Sequence, residues 1–314
     1  MTTEPDEGFS PEGDPVLTQD LENFLTGLGT DSSSFLSLSL FDPKQLRERL
    51  DALDTLDTRL GGFEAEDCMS DPDARITNHA KAIRTRLEAA NAVLYESIRS
   101  EIVRGARPHV LLEWIQTSAS PDETSSPVPG LGYDYRDEVV SGVLQLREPS
   151  EPRLHPLPEM VFYQPTPVRH ILNLITASAL SEDDVFVDLG SGLGHVALLA
   201  FMLTGAPSVG IEVEAAYVRS AQACAHSLQF SHVQFIHEDA RAADLSKGTV
   251  FYLYSPFSGS ILADVLHRLE KESTSKPIKI CALGPCTGTL AEESWLKPIT
   301  LPDPMQISVF QSRL

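Results

Sequence analysis

The chain has 314 residues, 42% of them hydrophobic, and a net charge of −21, with most of the acidic excess in the first 150 residues. That length can bury a full core and suggests two domains, while a chain this acidic is poorly suited to grip a phosphate backbone, which disfavours DNA or RNA as the main partner. The apolar run Val196–Leu203 is far short of a membrane span, and the opening MTTEPDEGFSPEGD reads as neither a secretory signal nor a transit peptide.

Residues 1–14, rich in Glu, Asp, Pro and Gly without apolar period, predict a disordered tail. Residues 15–117 read as an α-helical domain. Leu17, Leu21, Leu25 and Leu28 recur at helical spacing ahead of Gly29. In FDPKQLRERLDALDTLDTRLGG, Asp42 is the expected N-cap and Pro43 the first helical residue. Leu46, Leu50, Leu53, Leu56 and Leu60 form its stripe, and Gly61 is the expected stop. A longer helix is expected over about 76–104, with Ile83, Leu87, Ala90, Leu94, Ile98 and Ile102 on one face, and a last one near 108–117 with Trp114. Residues 118–158 read as a polar connector in which EVVSGVLQL predicts a short strand or hairpin.

From 159 the pattern changes. Thr166 and Pro167 open a helix; strands are expected at 184–188, 208–212, 233–237, 249–254 and 277–283, and helices near 194–204, 214–229 and 258–273. Strands alternating with helices of this length predict an α/β fold, a doubly wound parallel sheet covered on both faces. The closing WLKPITLPDPMQISVFQSRL predicts a C-terminal β-hairpin at the sheet edge. Cys68, Cys224, Cys281 and Cys286 fit neither zinc nor redox spacing, so they are expected as packed, reduced thiols in a cytoplasmic protein.

The stretch VFVDLGSGLGHV, residues 185–196, carries the chemistry. Glycines after a first strand let a ligand approach the backbone, and the following helix offers its free N–H groups. The dinucleotide fingerprint threads only as Gly192-x-Gly194-x-x-Ala197. The alternative, D-x-G-x-G-x-G, uses Asp188, Gly190, Gly192 and Gly194 together and is the first motif of class I methyltransferases. An acid before the first glycine suits S-adenosylmethionine, which carries an α-amino group and a sulfonium, and repels a pyrophosphate. Downstream, Glu212 ends a strand twenty-four residues after Asp188, where a carboxylate can accept ribose hydroxyls. Asp239, followed by Ala240, sits just past the third strand, where this class contacts adenine. No metal-ligand cluster is read, and His237 is expected as a strand-end residue. An NAD(P)-dependent oxidoreductase and a module that binds S-adenosylmethionine without turnover are the competing readings.

Residues 159–314 resemble the disruptor-of-telomeric-silencing family, histone lysine methyltransferases with a class I fold. FVDLGSGLGHV, GIEVEAAYVRSA and VFYQPTPVRHILNLI carry the resemblance. It implies a donor site of Tyr163, Thr166, Asp188, Gly190, Gly192, Glu212 and Asp239, with Thr166 closing over the methionine end. Gly194, His195 and Ala240 are expected to bind the donor as well, His195 falling where the family places a glutamine. The family's Asn-Asn-Phe stretch after the fourth strand is replaced by FYLYSPFSG, with Leu253 and Tyr254 where the asparagines would fall. Tyr254, Ser255, Pro256 and Phe257, at the carboxyl end of that strand, are therefore the candidate catalytic, acceptor-side residues. The acceptor is expected to be a protein or a small molecule, on an amine or an oxygen. Basic nucleosome-binding segments are not found in the sequence, so nucleosomes are not the expected target.

Overall fold

The computed structural model describes residues 15–27, 42–64, 71–105, 109–117, 132–146, 149, 159–161 and 163–313. The expected tail at 1–14, Leu28, Cys68 and most of the expected connector lie outside them. The chain divides into two compact units, up to Ser97 and from Ile98.

The first unit is helical: α1 (Pro15–Gly27), α2 (Pro43–Glu64) and α3 (Asp71–Val103) as far as Ser97. Leu21, Ala52, Leu56, Leu60, Ala80 and Leu87 form its apolar cluster; the four leucines are stripe positions expected from the sequence, and the two alanines are additions to them. The buried Arg49 donates from Nε to Asn91 Oδ1 at 2.7 Å, so its charge has a polar partner inside. Helix α2 runs through Gly61 to Glu64 rather than stopping there: glycine weakens a helix but does not by itself end one.

The second unit continues with α4 (His109–Thr117) and α5 (Tyr135–Leu144). The EVVSGVLQL segment is therefore helical, and the expected strand is wrong. Tyr135, Val139, Val140, Val143 and Leu144 are buried at helical spacing, and a reciprocal capping box between Asp134 and Asp137 starts the helix. Its C-terminal carbonyls, of Val143 and Leu144, accept from Arg99 Nη1 at 2.5 and 3.2 Å. Local alternation lost to a cap and a 3.6-residue burial period.

Next come α6 (Val168–Ser178), β1 (Phe186–Leu189), α7 (His195–Thr204), β2 (Ser208–Glu212), α8 (Ala215–Ser227) and β3 (Val233–His237). Then follow β4 (Val250–Leu253), α9 (Gly259–Ser273), β5 (Lys279–Ala282), α10 (Cys286–Glu292), β6 (Leu296–Pro298) and β7 (Ser308–Ser312). The seven strands lie in the order β3-β2-β1-β4-β5-β7-β6. The first five are mutually parallel, and β7 and β6 add antiparallel at one edge as the expected hairpin. All residues of β1 and β4 are buried, as parallel strands covered on both faces should be. Helix α10 has no counterpart in the sequence reading, because CTGTLAE is short and mostly polar. The order reverses between β1 and β4, so a crevice opens at the carboxyl ends of these strands.

Candidate active site

That crevice holds a cavity of about 550 Å³. Its wall includes Tyr163, Thr166, Asp188, Gly190, His195, Glu212, Asp239, Ala240, Tyr254, Ser255 and Phe257, all singled out from the sequence. Gly192 and Gly194 are not among the lining residues.

The turn from β1 to α7 explains the glycines. Gly190, Gly192 and Gly194 all have positive φ, at 84°, 52° and 85°. Gly190 and Ser191 donate their N–H groups to Ile211 O at 2.9 and 3.0 Å, which ties the turn to β2. A Cβ on Gly192 would stand 2.1 Å from Tyr163 Cε2, so the tyrosine ring lies over this glycine, where the sequence placed the ligand. A Cβ on Gly194 would stand 2.4 Å from Phe235 Cζ: that glycine lets α7 pack on the sheet.

Asp188 sits on β1 beside Tyr252 of β4 and is 3% exposed. Its Oδ2 has no hydrogen-bond partner among the described residues. Burial, with the nearby Glu212 carboxylate adding to it, pushes its carboxyl up to about 8. A buried acceptor without a donor is unfavourable unless something supplies one. An ammonium group entering the cavity would do so, and would restore the charge on the carboxylate.

Glu212 ends β2 with both oxygens engaged: Oε2 accepts from Gly192 N and Oε1 from Glu214 N, each at 2.8 Å. Burial raises its carboxyl above the usual range, and these backbone donors work against that rise. Each oxygen keeps a second lone pair for a hydroxyl. Asp239, about one-third exposed, is held by Arg241, whose Nη2 donates to Oδ2 at 2.7 Å; this partner keeps its carboxyl below the ordinary value. Arg268 of α9 donates to the carbonyls of Ala240, Arg241 and Ala243, fastening the turn that carries Asp239 and Ala240.

The far wall comes from Met160, Val161 and residues 163–166. Tyr163 Oη lies 3.1 Å from His195 Nδ1, and its ring centroid is 5.0 Å from that of Tyr217. His195 is half-buried in the cavity wall, and this burial pushes its imidazole down to about 4, so it is neutral at physiological pH. Thr166 Oγ1 lies 3.0 Å from Tyr252 Oη, a buried pair. Tyr252 was missed in the sequence reading, since a tyrosine inside an apolar strand carries no motif signal. Met160 bridges to Phe257, Val161 N donates to Pro256 O at 3.1 Å, and Ser258 N donates to Glu159 O at 2.8 Å. Glu159 also accepts from Ser260 Oγ and Ile261 N, at 2.8 and 3.0 Å, capping α9.

Beyond β4, the Tyr254 hydroxyl is buried and has no hydrogen-bond partner among the described residues. Burial raises its phenol pKa. Ser255 has φ 41°, a left-handed conformation held because its hydroxyl donates to Leu283 O at 3.1 Å and accepts from Cys286 N at 3.0 Å. Its hydroxyl therefore fixes the turn before α10. Phe257 is 6% exposed and belongs to the apolar cluster under α9 as well as to the cavity wall.

A doubly wound seven-stranded sheet with β7 antiparallel between β5 and β6 is the fold of a class I S-adenosylmethionine-dependent methyltransferase. Residues 160–251 match the family model described as histone methylation protein DOT1. No curated protein matches the chain significantly. Among solved structures, the chain is similar to an RNA methyltransferase from Salinibacter ruber in complex with S-adenosyl-L-homocysteine. The identity is 25% over 48% of this chain and 92% of that one, with a TM-score of 0.38. It is also similar to precorrin-6y C5,15-methyltransferase from Geobacter metallireducens, at 14% identity over 49% of this chain and 92% of that one, with a TM-score of 0.38. No helix among the described residues is long and apolar enough to cross a membrane.

Proposed function

We propose that this methyltransferase acts on an amine, a lysine of a protein or the amino group of a small molecule, with Tyr254 at the acceptor side. The observation that carries this reading is the buried, unpartnered Tyr254 hydroxyl at the end of β4, on a cavity wall that also includes Phe257. A phenol oxygen can accept from an amine N–H, and an aromatic face holds an ammonium by ~0.5–2 kcal/mol. The match to a histone methylation family supports a protein amine; the stretch LYSPF in place of Asn-Asn-Phe argues against the nucleosome.

When bound, S-adenosylmethionine supplies an electrophilic methyl on a sulfonium for an in-line displacement. The residues present fit it, because Asp188 offers a buried acceptor that lacks a donor. In this reading Asp188 holds the α-amino group, Glu212 the ribose hydroxyls, and Asp239 with Ala240 the adenine edge. Thr166 and Tyr163 close over the methionine end, and neutral His195 fixes the Tyr163 hydroxyl. Tyr254 orients the acceptor nitrogen. With its pKa raised it stays protonated and so is not the base. Orientation of this kind can lower a barrier by ~7–11 kcal/mol.

Two expectations follow from these roles. Tyr254→Ala should lower turnover at least tenfold while S-adenosylhomocysteine affinity, read by calorimetry, stays within twofold. The acceptor itself is found by labelled methyl transfer into fractionated lysate. Normal turnover of that variant on its substrate, or robust methylation of nucleosomal histone, overturns the reading. Glu212→Ala should weaken donor binding more than Asp239→Ala. Glu212 is buried and also holds the glycine turn, whereas Asp239 is partly open to water. A lost charged hydrogen bond amounts to ~1.5–3 kcal/mol, so Glu212→Ala should reach tenfold or more and Asp239→Ala fall below it. Equal affinities for both variants and the parent would remove these residues from the donor site.

A further inference from the structure

Thr166 stands between two prolines, and neither Pro165 nor Pro167 has an N–H to anchor the segment. Its N-cap, Pro167, offers α6 no side-chain acceptor. The anchors come instead from residues just before and within α5, about thirty residues earlier. Tyr133 Oη donates to Pro165 O at 2.8 Å, on one side of Thr166. Val168 N donates to Asp137 Oδ1 at 2.8 Å, on the other. Asp137 is itself fixed, because its Oδ2 accepts from Asp134 N at 2.8 Å in the capping box of α5. One carboxylate thus caps two helices, its own and α6. Burial pushes the Asp137 carboxyl up to about 6 against the pull of these two N–H groups, in keeping with an enclosed contact.

We infer that Tyr133 and Asp137 are positioning residues of the active site: by gripping Pro165–Val168 on both sides they set the Thr166 hydroxyl against Tyr252, over the donor end of the cavity. This rests on the donor reading of the site given above. The working parts of the domain then reach back before residue 159, into the stretch that the sequence reads as a connector. Neither residue touches the donor; each acts through Thr166. Tyr133 is about half exposed and lies before α5, and its hydroxyl reaches the Gln164 side chain as well as Pro165 O.

The test uses the full chain and S-adenosylhomocysteine in calorimetry, with melting temperature measured alongside. Tyr133→Phe should weaken binding about threefold, and Tyr133→Phe with Asp137→Ala at least tenfold. Asp137→Asn, which keeps an oxygen for Val168 N, should stay within threefold of the parent. In a Thr166→Val background the double change should alter affinity by less than twofold, because groups acting through one residue are not additive. Unchanged affinity in folded Tyr133→Phe and double variants overturns the inference. So does the same loss with and without Thr166, since that marks a general effect on the fold. If Asp137→Ala does not fold, Tyr133→Phe against Thr166→Val decides alone. A parent chain that does not bind S-adenosylhomocysteine overturns the donor reading itself, and the inference with it; a binding parent with insensitive variants overturns only the inference.

Discussion

Asp188→Asn is expected to weaken S-adenosylhomocysteine binding by one to two orders of magnitude and, at the same time, to raise the melting temperature of the donor-free protein. The binding loss is that of a charged hydrogen bond to the α-amino group, ~1.5–3 kcal/mol. The stability gain has the opposite origin. The folded pKa of Asp188 is raised from 3.8 to about 8, so folding favours its neutral form. Its contribution to stability is full below the unfolded value and is lost as pH rises from 3.8 to about 8. Asparagine does not ionise, so the gap between variant and parent should be widest at pH 8 and close toward pH 4. A second signature accompanies it: at pH 7 the parent should release about one proton on binding, as the carboxylic acid ionises against the ammonium. Calorimetry in buffers of different ionisation enthalpy reads that proton. No proton release, together with unchanged affinity in Asp188→Asn, would show that the amino group lies elsewhere.

Gly192→Val should be the most damaging substitution in the glycine turn, and mainly through Tyr163. A β-branched residue at φ 52° carries a backbone penalty of ~1–2 kcal/mol, and its Cβ would clash with the Cδ2–Cε2 edge of the tyrosine ring. Overpacking of this kind adds ~1–3 kcal/mol, so a fall in melting temperature of roughly 5–15 °C is expected, with donor binding lost. Adding Tyr163→Ala should return the overpacking part of the stability and leave the backbone part. If the double variant melts no higher than Gly192→Val alone, the ring is not what the valine meets.

The β/α half of the chain was legible, α10 apart, because each strand of the parallel part is a short apolar run closed by a turn and the helices between them are long and apolar on at least one face. Asp188, Gly190 and Glu212 were legible for a different reason: their chemistry is concentrated in contiguous motifs. What escaped was whatever depends on distant partners. Helix α5 looks locally like alternating strand residues, and only its capping box and its packing under Arg99 make it a helix. Tyr163 was expected near the donor, but its ring lies over Gly192, a contact that spacing along the chain does not encode. Ser255, a candidate at the acceptor side, lines the cavity, and its left-handed backbone and two hydrogen bonds also hold the turn ahead of α10, a second role that no motif encodes. Tyr133 and Asp137 fell in a stretch whose composition reads as linker.

The stitch between Glu159–Val161 and Pro256–Ile261 also fixes when the site can come into being. Glu159 and Ile261, joined through a carboxylate and an amide, are 102 residues apart. Closing so long a loop is entropically unfavourable until the sheet between its ends has formed, and parallel pairing is itself slow. On the ribosome, where a chain emerges from its N-terminus, Asp188, Gly190 and Glu212 are all synthesised well before the segment that walls them in. The glycine turn is therefore made before its wall, and it can become a cavity only when residues 256–261 meet a stretch made about a hundred residues earlier.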